Sequence, residues 1–249
     1  ERDINQVHGL RSDISNIHLQ RHPFVSIHIA TYNEKRVVER LLKATTSLDY
    51  DNYELIVVDD STDETTAIVQ QFVEKWNTTN KPIIKVIHRN TREGFKGGAL
   101  KEALKATDPR AEFVVIFDAD FIPYPDTIVQ FLKYFQVTSH QPSATSNQQS
   151  ARDQLKANQL EASGSNVAAI QGYLWHVLNK CENWITRGVR SEYSGSYVIE
   201  RSGEEIYSGL KQISGSVYMI RRDVLESIGW GTSITEDFQL TLKLYELGY

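Results

Sequence analysis

Asp118-Ala119-Asp120 places two carboxylates two residues apart, directly after the apolar run Glu112–Phe117. In an extended segment that spacing puts both side chains on one face. Two like charges about 7 Å apart at an effective dielectric of about 20 repel by roughly 2 kcal/mol. A hard divalent cation removes that cost, and oxygen donors suit Mg2+ or Mn2+. Two carboxylates leave most of an octahedral shell to water or a diphosphate. The alternative is a strand-end turn with solvated aspartates. Asp59-Asp60 follows a second apolar run, and Thr31-Tyr32-Asn33-Glu34 a third. Either aspartate could accept from a nucleotide base or ribose, or serve helix capping and the helix dipole. Tyr32 could offer a flat face to a base, or simply pack at a strand end.

Arg92–Leu100 (REGFKGGAL) is glycine-rich and runs into an expected helix. Small residues let backbone approach a ligand there, and a helix N-terminus favours anions. The pattern matches neither the dinucleotide-binding nor the P-loop fingerprint. A tight turn would read the same way. Thr235-Glu236-Asp237 opens the last helix. Asp237 can be a cap, or a general base ionised at neutral pH. Gly215-Ser216 leaves room for an acceptor, and Trp230 is a stacking surface for a sugar ring or a core residue.

The elements that must position these groups are legible as apolar runs and periodicities. Phe24–Ala30, Glu54–Val58, Ile83–Ile87 and Glu112–Phe117 read as strands. Helical spacing follows each: Val37, Val38, Leu41 and Leu42; Ile68, Val69, Phe72, Val73 and Trp76; Ala99, Leu100, Ala103 and Leu104; then, from near Pro125, Ile128, Phe131, Leu132 and Phe135. Asn33 is expected to cap the first helix, and Ser61 with Glu64 to form a capping box for the second. Repeated β-then-α units mean a parallel sheet with helices on both faces, its strands buried on both sides. Ligands of such sheets sit at the carboxyl ends of the strands. Three of the polar signals land on that edge.

Residues 1–22 read as a polar arm, 23–136 as a nucleotide-binding half, 137–165 as a polar loop or insertion, and 166–249 as an acceptor half. The chain has 249 residues, 40% hydrophobic and 24% charged, with a formal net charge of -5. It is long enough for a core-driven fold, and acidic without a basic run, which argues against a nucleic-acid partner. Its single cysteine, Cys181, excludes an internal disulfide. No apolar run approaches the ~20 residues of a membrane helix. The start at Glu1 and the finish inside an expected helix suggest a piece of something longer.

Taken in order, SIHIATYNE (26–34), VVDDS (57–61), REGFKGGAL (92–100), FDAD (117–120), Ser214-Gly215-Ser216 with Arg221-Arg222, and Thr235-Glu236-Asp237 resemble the family 2 glycosyltransferases, in their cellulose synthase-like branch. The resemblance spans roughly 23–249. It implies a GT-A fold, mixed toward the acceptor half, a UDP- or GDP-linked sugar donor, a divalent cation (Mg2+ or Mn2+) and inversion at the anomeric carbon. Thr31, Tyr32, Glu34, Asp60 and Lys96 would hold the donor. Asp118 and Asp120 would hold the metal and diphosphate, and Asp237 would be the base. Glu236, Gly215, Ser216 and Trp230 would line the acceptor side, for a glycan or lipid-linked acceptor. The family's Gln-x-x-Arg-Trp motif is expected beyond this chain. Gln171 to Trp175 has its spacing but carries Leu174 for the arginine and precedes the base. The resemblance also implies a parent protein anchored by membrane segments, with this domain at the cytosolic face. Rival readings are single-sugar transfer to a lipid, nucleotidyl transfer, and a nucleotide-binding domain without turnover.

Overall fold

The computed structural model describes residues 14, 16–78, 80–138, 167–174, 182–201, 203–204, 210–231 and 233–249. The polar stretch 137–165 and Trp175 therefore fall almost wholly outside the described residues, as does most of the expected arm.

A six-stranded sheet organises the rest, in the order β3-β2-β1-β4-β6-β5. Strands β1 (Phe24–Thr31), β2 (Tyr53–Asp59), β3 (Ile84–His88) and β4 (Ala111–Asp118) are mutually parallel. β6 (Tyr218–Arg221) runs antiparallel to β4, and β5 (Ala169–Gln171) antiparallel to β6. The sheet is thus mixed on the side formed by the second half of the chain. Helices α1 (Val38–Thr45), α2 (Thr65–Asn77), α3 (Phe95–Ala106) and α4 (Thr127–Thr138) follow the four parallel strands. α5 (Trp184–Ser194) continues into a π-helical stretch, Gly195–Glu200. α6 (Arg222–Ile228) and α7 (Glu236–Glu246) close the chain.

Strand periodicity divides the core into two layers. Val25, Ile27 and Ile29 of β1, Leu55 and Val57 of β2, and Val115 and Phe117 of β4 face α1, α2 and α4. The alternate residues Val114, Ile116, Tyr218 and Ile220 pack with Leu100, Val224, Leu225, Leu240 and Leu244, under α3, α6 and α7. β2 through β1 to β4 is the point where strand order reverses: β2 and β3 lie to one side of β1 and β4 to the other. Ligands of such sheets bind at that point, and Thr31 and Asp118 end the two strands there.

Two expected caps are made differently. Asn33 has a left-handed backbone (φ 57), which it tolerates better than most residues. Its N–H donates to Ser61 Oγ at 2.9 Å, and its Oδ1 accepts from Thr62 N–H at 2.9 Å. It therefore stitches the β1 loop to the β2 loop, and α1 starts four residues later at an uncapped Val37. Ser61 is occupied by that stitch, so no capping box forms with Glu64, the uncapped N-cap of α2. Asp63 instead accepts from Thr65 N–H at 2.9 Å.

Candidate functional site

The end of β2 is built from within. Asp59 is fully buried. It accepts from Thr31 Oγ1 at 3.0 Å, Thr66 Oγ1 at 2.6 Å, Ser61 N–H at 3.2 Å and His88 Nδ1 at 3.1 Å. Burial pushes its pKa up, but the hydrogen bonds from Ser61, Thr66, Thr31 and His88 overcome that and hold it below the ordinary value. Thr31, expected to touch the donor, is 3% exposed and lies beneath the site, bonded to Asp59. Its place is to hold the strand end, because a buried hydroxyl must find a partner inside.

Asp60 turns the other way. Both its oxygens are held by the Arg89 guanidinium, Oδ1 from Nε at 2.6 Å and Oδ2 from Nη2. Such a fork is the strong, geometrically specific form of an ion pair. The same Arg89 donates to the carbonyls of Glu93 and Phe95, each at 3.1 Å. One arginine thus ties the β2 end to the glycine-rich loop. Any nucleoside contact through Asp60 comes with a guanidinium attached.

The glycines of that loop are needed for close approach. A Cβ on Gly97 would lie 2.7 Å from the Gly231 carbonyl oxygen and 3.3 Å from Glu236 Cβ. Gly97 therefore lets the start of α3 sit against the start of α7. That contact carries Lys96 into the centre of the site. Its ammonium donates to Asp118 Oδ1 and to the Gly215 carbonyl, and pairs with Glu236 Oε1 at 3.4 Å. Elements α3, β4, the segment before β6, and α7 meet at this one nitrogen.

Asp237 belongs to the same cluster. A Cβ on Gly215 would meet Lys96 Nζ at 3.2 Å, Asp237 Oδ2 at 3.4 Å and Glu236 Oε1 at 3.5 Å. Asp237 Oδ1 accepts its neighbour Phe238 N–H at 2.8 Å, so Oδ2 is the oxygen turned toward Gly215. Glu236 is 7% exposed, and burial raises its pKa above the ordinary glutamate value although the Lys96 charge opposes the shift. Glu34 is also raised, first by burial and then by the charges of Asp120, Asp118 and Asp63. Glu34 therefore feels the negative charge of Asp118 and Asp120.

Asp118 and Asp120 carry oxygen donors of the type a divalent cation takes, and Asp118 Oδ1 is held by Lys96, whose ammonium a cation at that oxygen would have to displace. Among the described residues, no group of three or more His, Cys, Asp or Glu is arranged to hold a metal. Asp118 and Asp120 would therefore need most of the remaining ligands from a substrate or water.

Ser216 and Trp230 are both buried. Ser216 is 4% exposed, and its Oγ accepts Asp118 N–H at 3.0 Å. That bond fixes the end of β4. Trp230 is 7% exposed and packs in the layer with Leu240 and Leu244. That is the core place, the second of its two readings from sequence. Gln171 is a positioning residue that sequence spacing considered only against a motif it does not complete. Its Nε2 donates to the carbonyls of Ser216 at 2.8 Å and Val217 at 3.1 Å, and its Oε1 accepts Ser214 N–H at 2.9 Å. It clamps the Ser214–Val217 segment that presents Gly215. Tyr197 adds a bond of 2.7 Å between its hydroxyl and Ser214 Oγ. Only an unmotivated glutamine and tyrosine in the sequence could have hinted at either.

Residues 26–170 match the family described as "Glycosyl transferase family 2", and 154–249 match "Glycosyl transferase family group 2". Among curated relatives, the "Beta-monoglucosyldiacylglycerol synthase" of Nostoc sp. (strain PCC 7120) is 28% identical over 229 residues, 90% of this chain and 41% of the relative. The "Probable glucomannan 4-beta-mannosyltransferase 14" of Arabidopsis thaliana is 28% identical over 244 residues, 95% of this chain and 41% of the relative. The chain thus spans 41% of the length of these relatives. Among solved structures, the mannosyltransferase PcManGT from Pyrobaculum calidifontis, in complex with GDP-Man and Mn2+, aligns with a TM-score of 0.60 at 20% identity, covering 98% of this chain and 60% of that one. S. aureus TarS 1-349 in complex with UDP-GlcNAc aligns with a TM-score of 0.52 at 21% identity, covering 90% and 54%. The likeness to these structures is one of fold, the GT-A arrangement. Among the described residues, no helix is long and apolar enough to cross a membrane.

Proposed function

The chain belongs to glycosyl transferase family 2, and on that premise we propose that it moves a sugar from a UDP- or GDP-linked donor to a hydroxyl of a glycan acceptor, with inversion at the anomeric carbon. The observation that carries this reading is the convergence of Asp118, Lys96, Glu236 and Asp237 around Gly215. A donor-side carboxylate and a candidate base are thereby within one site.

Asp237 Oδ2, facing the gap beside Gly215, receives the proton of the attacking hydroxyl. Gly215, lacking a side chain, leaves the space in which that hydroxyl must lie. Lys96 places a positive charge beside the diphosphate and holds Glu236 in line. Tyr32, Glu34 and the Asp60–Arg89 pair form the nucleoside side. Thr31, Asp59, Ser216 and Gln171 keep the strand ends and the Gly215 segment fixed, which is how preorganised groups avoid reorganisation during reaction. Asp118 and Asp120 would hold a divalent cation, Mg2+ or Mn2+, which offsets negative charge on the leaving diphosphate. PcManGT, which shares the fold, was solved with GDP-Man and Mn2+, and that supports a divalent cation.

A lipid acceptor is the second reading, favoured by the likeness to a glucosyldiacylglycerol synthase. The proposal includes placement at the cytosolic face of a membrane, through segments outside this chain. Thermal shift with a panel of UDP- and GDP-sugars, with and without Mn2+, tests the donor class. A site occupied at a hundredfold excess over Kd gains about 2.7 kcal/mol. No metal-dependent shift with any nucleotide-sugar would refute the reading.

A further inference from the structure

The groups of the proposed reaction lie at the carboxyl ends of the parallel strands. A separate cleft of about 580 Å³ lies at their amino ends, a volume typical of small-ligand sites. Its walls come from the chain leading into β1, the segment between α1 and β2, and α4. β1 has eight residues, so about 25 Å lies between the cleft and the catalytic edge.

The chain leading into β1 is fastened to both neighbouring walls. Gln136 of α4 accepts from Gln20 N–H at 3.0 Å and donates to the His18 carbonyl at 3.1 Å. Asn52 donates to the His22 carbonyl at 2.7 Å, and the buried Tyr50 hydroxyl donates to the Pro23 carbonyl. The His22 ring lies parallel to that of Tyr50, with centroids 5.7 Å apart. A wall held by backbone contacts loses little further freedom when a ligand binds.

Leu19, Leu48 and Val129 give the cleft an apolar lining, and His22 adds an exposed flat ring. Beside them are the exposed carboxylates of Asp49 and Asp51, the ammonium of Lys133 and the imidazole of His18. Among the described residues, no salt bridge uses Asp49, Asp51 or Lys133. A carboxylate only accepts, an ammonium only donates, and a neutral imidazole does each at one nitrogen. A phosphate would meet two carboxylates here, and a cation would meet an ammonium. A neutral ring with an apolar C–H face and hydroxyls around its edge matches the lining better. Its C–H face packs on the apolar groups, while each hydroxyl donates to a carboxylate and accepts from Lys133 or an imidazole. That is the chemistry of a sugar.

We propose that this cleft is a second carbohydrate site, which holds a glycan chain away from its reacting end. The inference rests on the glycan-acceptor reading of the proposed function and extends it. A chain engaged at both places is retained through effective concentration, without tighter contact at the catalytic edge.

The test is calorimetric titration of cellohexaose and mannohexaose, without donor or metal, into wild type, His22→Ala, Asp51→Ala and Asp237→Asn. His22 and Asp51 are exposed, so the two cleft variants should melt with wild type. At least one hexasaccharide is expected to bind wild type and Asp237→Asn alike. It should lose about fivefold or more in affinity with His22→Ala and with Asp51→Ala. Absence of binding to wild type overturns the inference. So does binding that either cleft variant retains in full, or that Asp237→Asn abolishes instead. Titration of UDP and GDP with Mn2+ into the same proteins separates this inference from the reading beneath it. Nucleotide should bind wild type and both cleft variants equally, since the cleft is at the other end of the sheet. Nucleotide binding without hexasaccharide binding overturns the cleft alone, whereas hexasaccharide binding at the cleft with neither nucleotide bound overturns the nucleotide-sugar reading.

Discussion

Replacing Lys96 by methionine keeps the length of the side chain and removes its charge. The structure sets the size of the effect. Lys96 Nζ pairs with Glu236 Oε1 at 3.4 Å, and Glu236 is 7% exposed. At an effective dielectric of about 20 that separation corresponds to roughly 5 kcal/mol of attraction before desolvation is counted. Removing one partner of a buried pair costs about 3–5 kcal/mol, because the other charge is left uncompensated. The lower end applies here, since Lys96 keeps a quarter of its side chain in solvent. For a chain of this length about 3 kcal/mol lowers Tm by roughly 6–12 °C. The penalty depends on pH. Glu236 already has a raised pKa through burial, and loss of Lys96 raises it further. A carboxyl whose folded pKa exceeds its unfolded one binds the proton more in the folded state, so stability falls as pH rises through that window. Lys96→Met should therefore melt nearest to wild type at or below the unfolded glutamate pKa, and furthest from it at neutral pH. Denaturation at pH 4.5 and 7.5 measures both. A variant that melts with wild type at pH 7.5, or a deficit equal at the two pH values, would refute the reasoning.

Gly97→Ala should destabilise by about 1–3 kcal/mol in urea, because its Cβ must push against the Gly231 carbonyl; a neutral effect would mean that α3 and α7 do not meet as described. His28 is fully buried, and burial together with the Lys85 charge lowers its pKa to about 3. The unfolded ring takes up a proton that the folded one refuses, so stability should fall as pH drops below about 6.5, at up to ~1.4 kcal/mol per pH unit. His28→Gln should remove that slope, so the wild-type advantage over it should shrink by about 2 kcal/mol between pH 7 and 5.

The sheet was legible because its parallel strands are buried on both faces and so read as short apolar runs, such as Leu55–Val58 and Val114–Phe117. The site edge was legible because strand ends carry Asp118, Asp60 and Tyr32, and parallel topology aligns those ends. Local spacing misjudged Ser61 and Asn33, since each can bond a neighbour in sequence but is claimed by the other across 28 residues. It could not separate Asp59, with four donors around it, from Asp60, with its arginine. Nor could it place Ser216 against Asp118 N–H, or Gln171 on four backbone groups. Those roles arise from contacts between distant segments, and residue type alone is silent about them.

Asp237→Asn tests the proposed reaction most directly, since it preserves shape and the contact to Phe238 N–H while removing proton affinity. With a donor that binds wild type, the rate of nucleoside diphosphate release in the presence of acceptor should drop by at least two orders of magnitude, within the range general bases contribute, while donor affinity stays within about twofold of wild type. Release that continues undiminished in Asp237→Asn would contradict the assignment of Asp237 as the base and, with it, the reaction placed around Gly215.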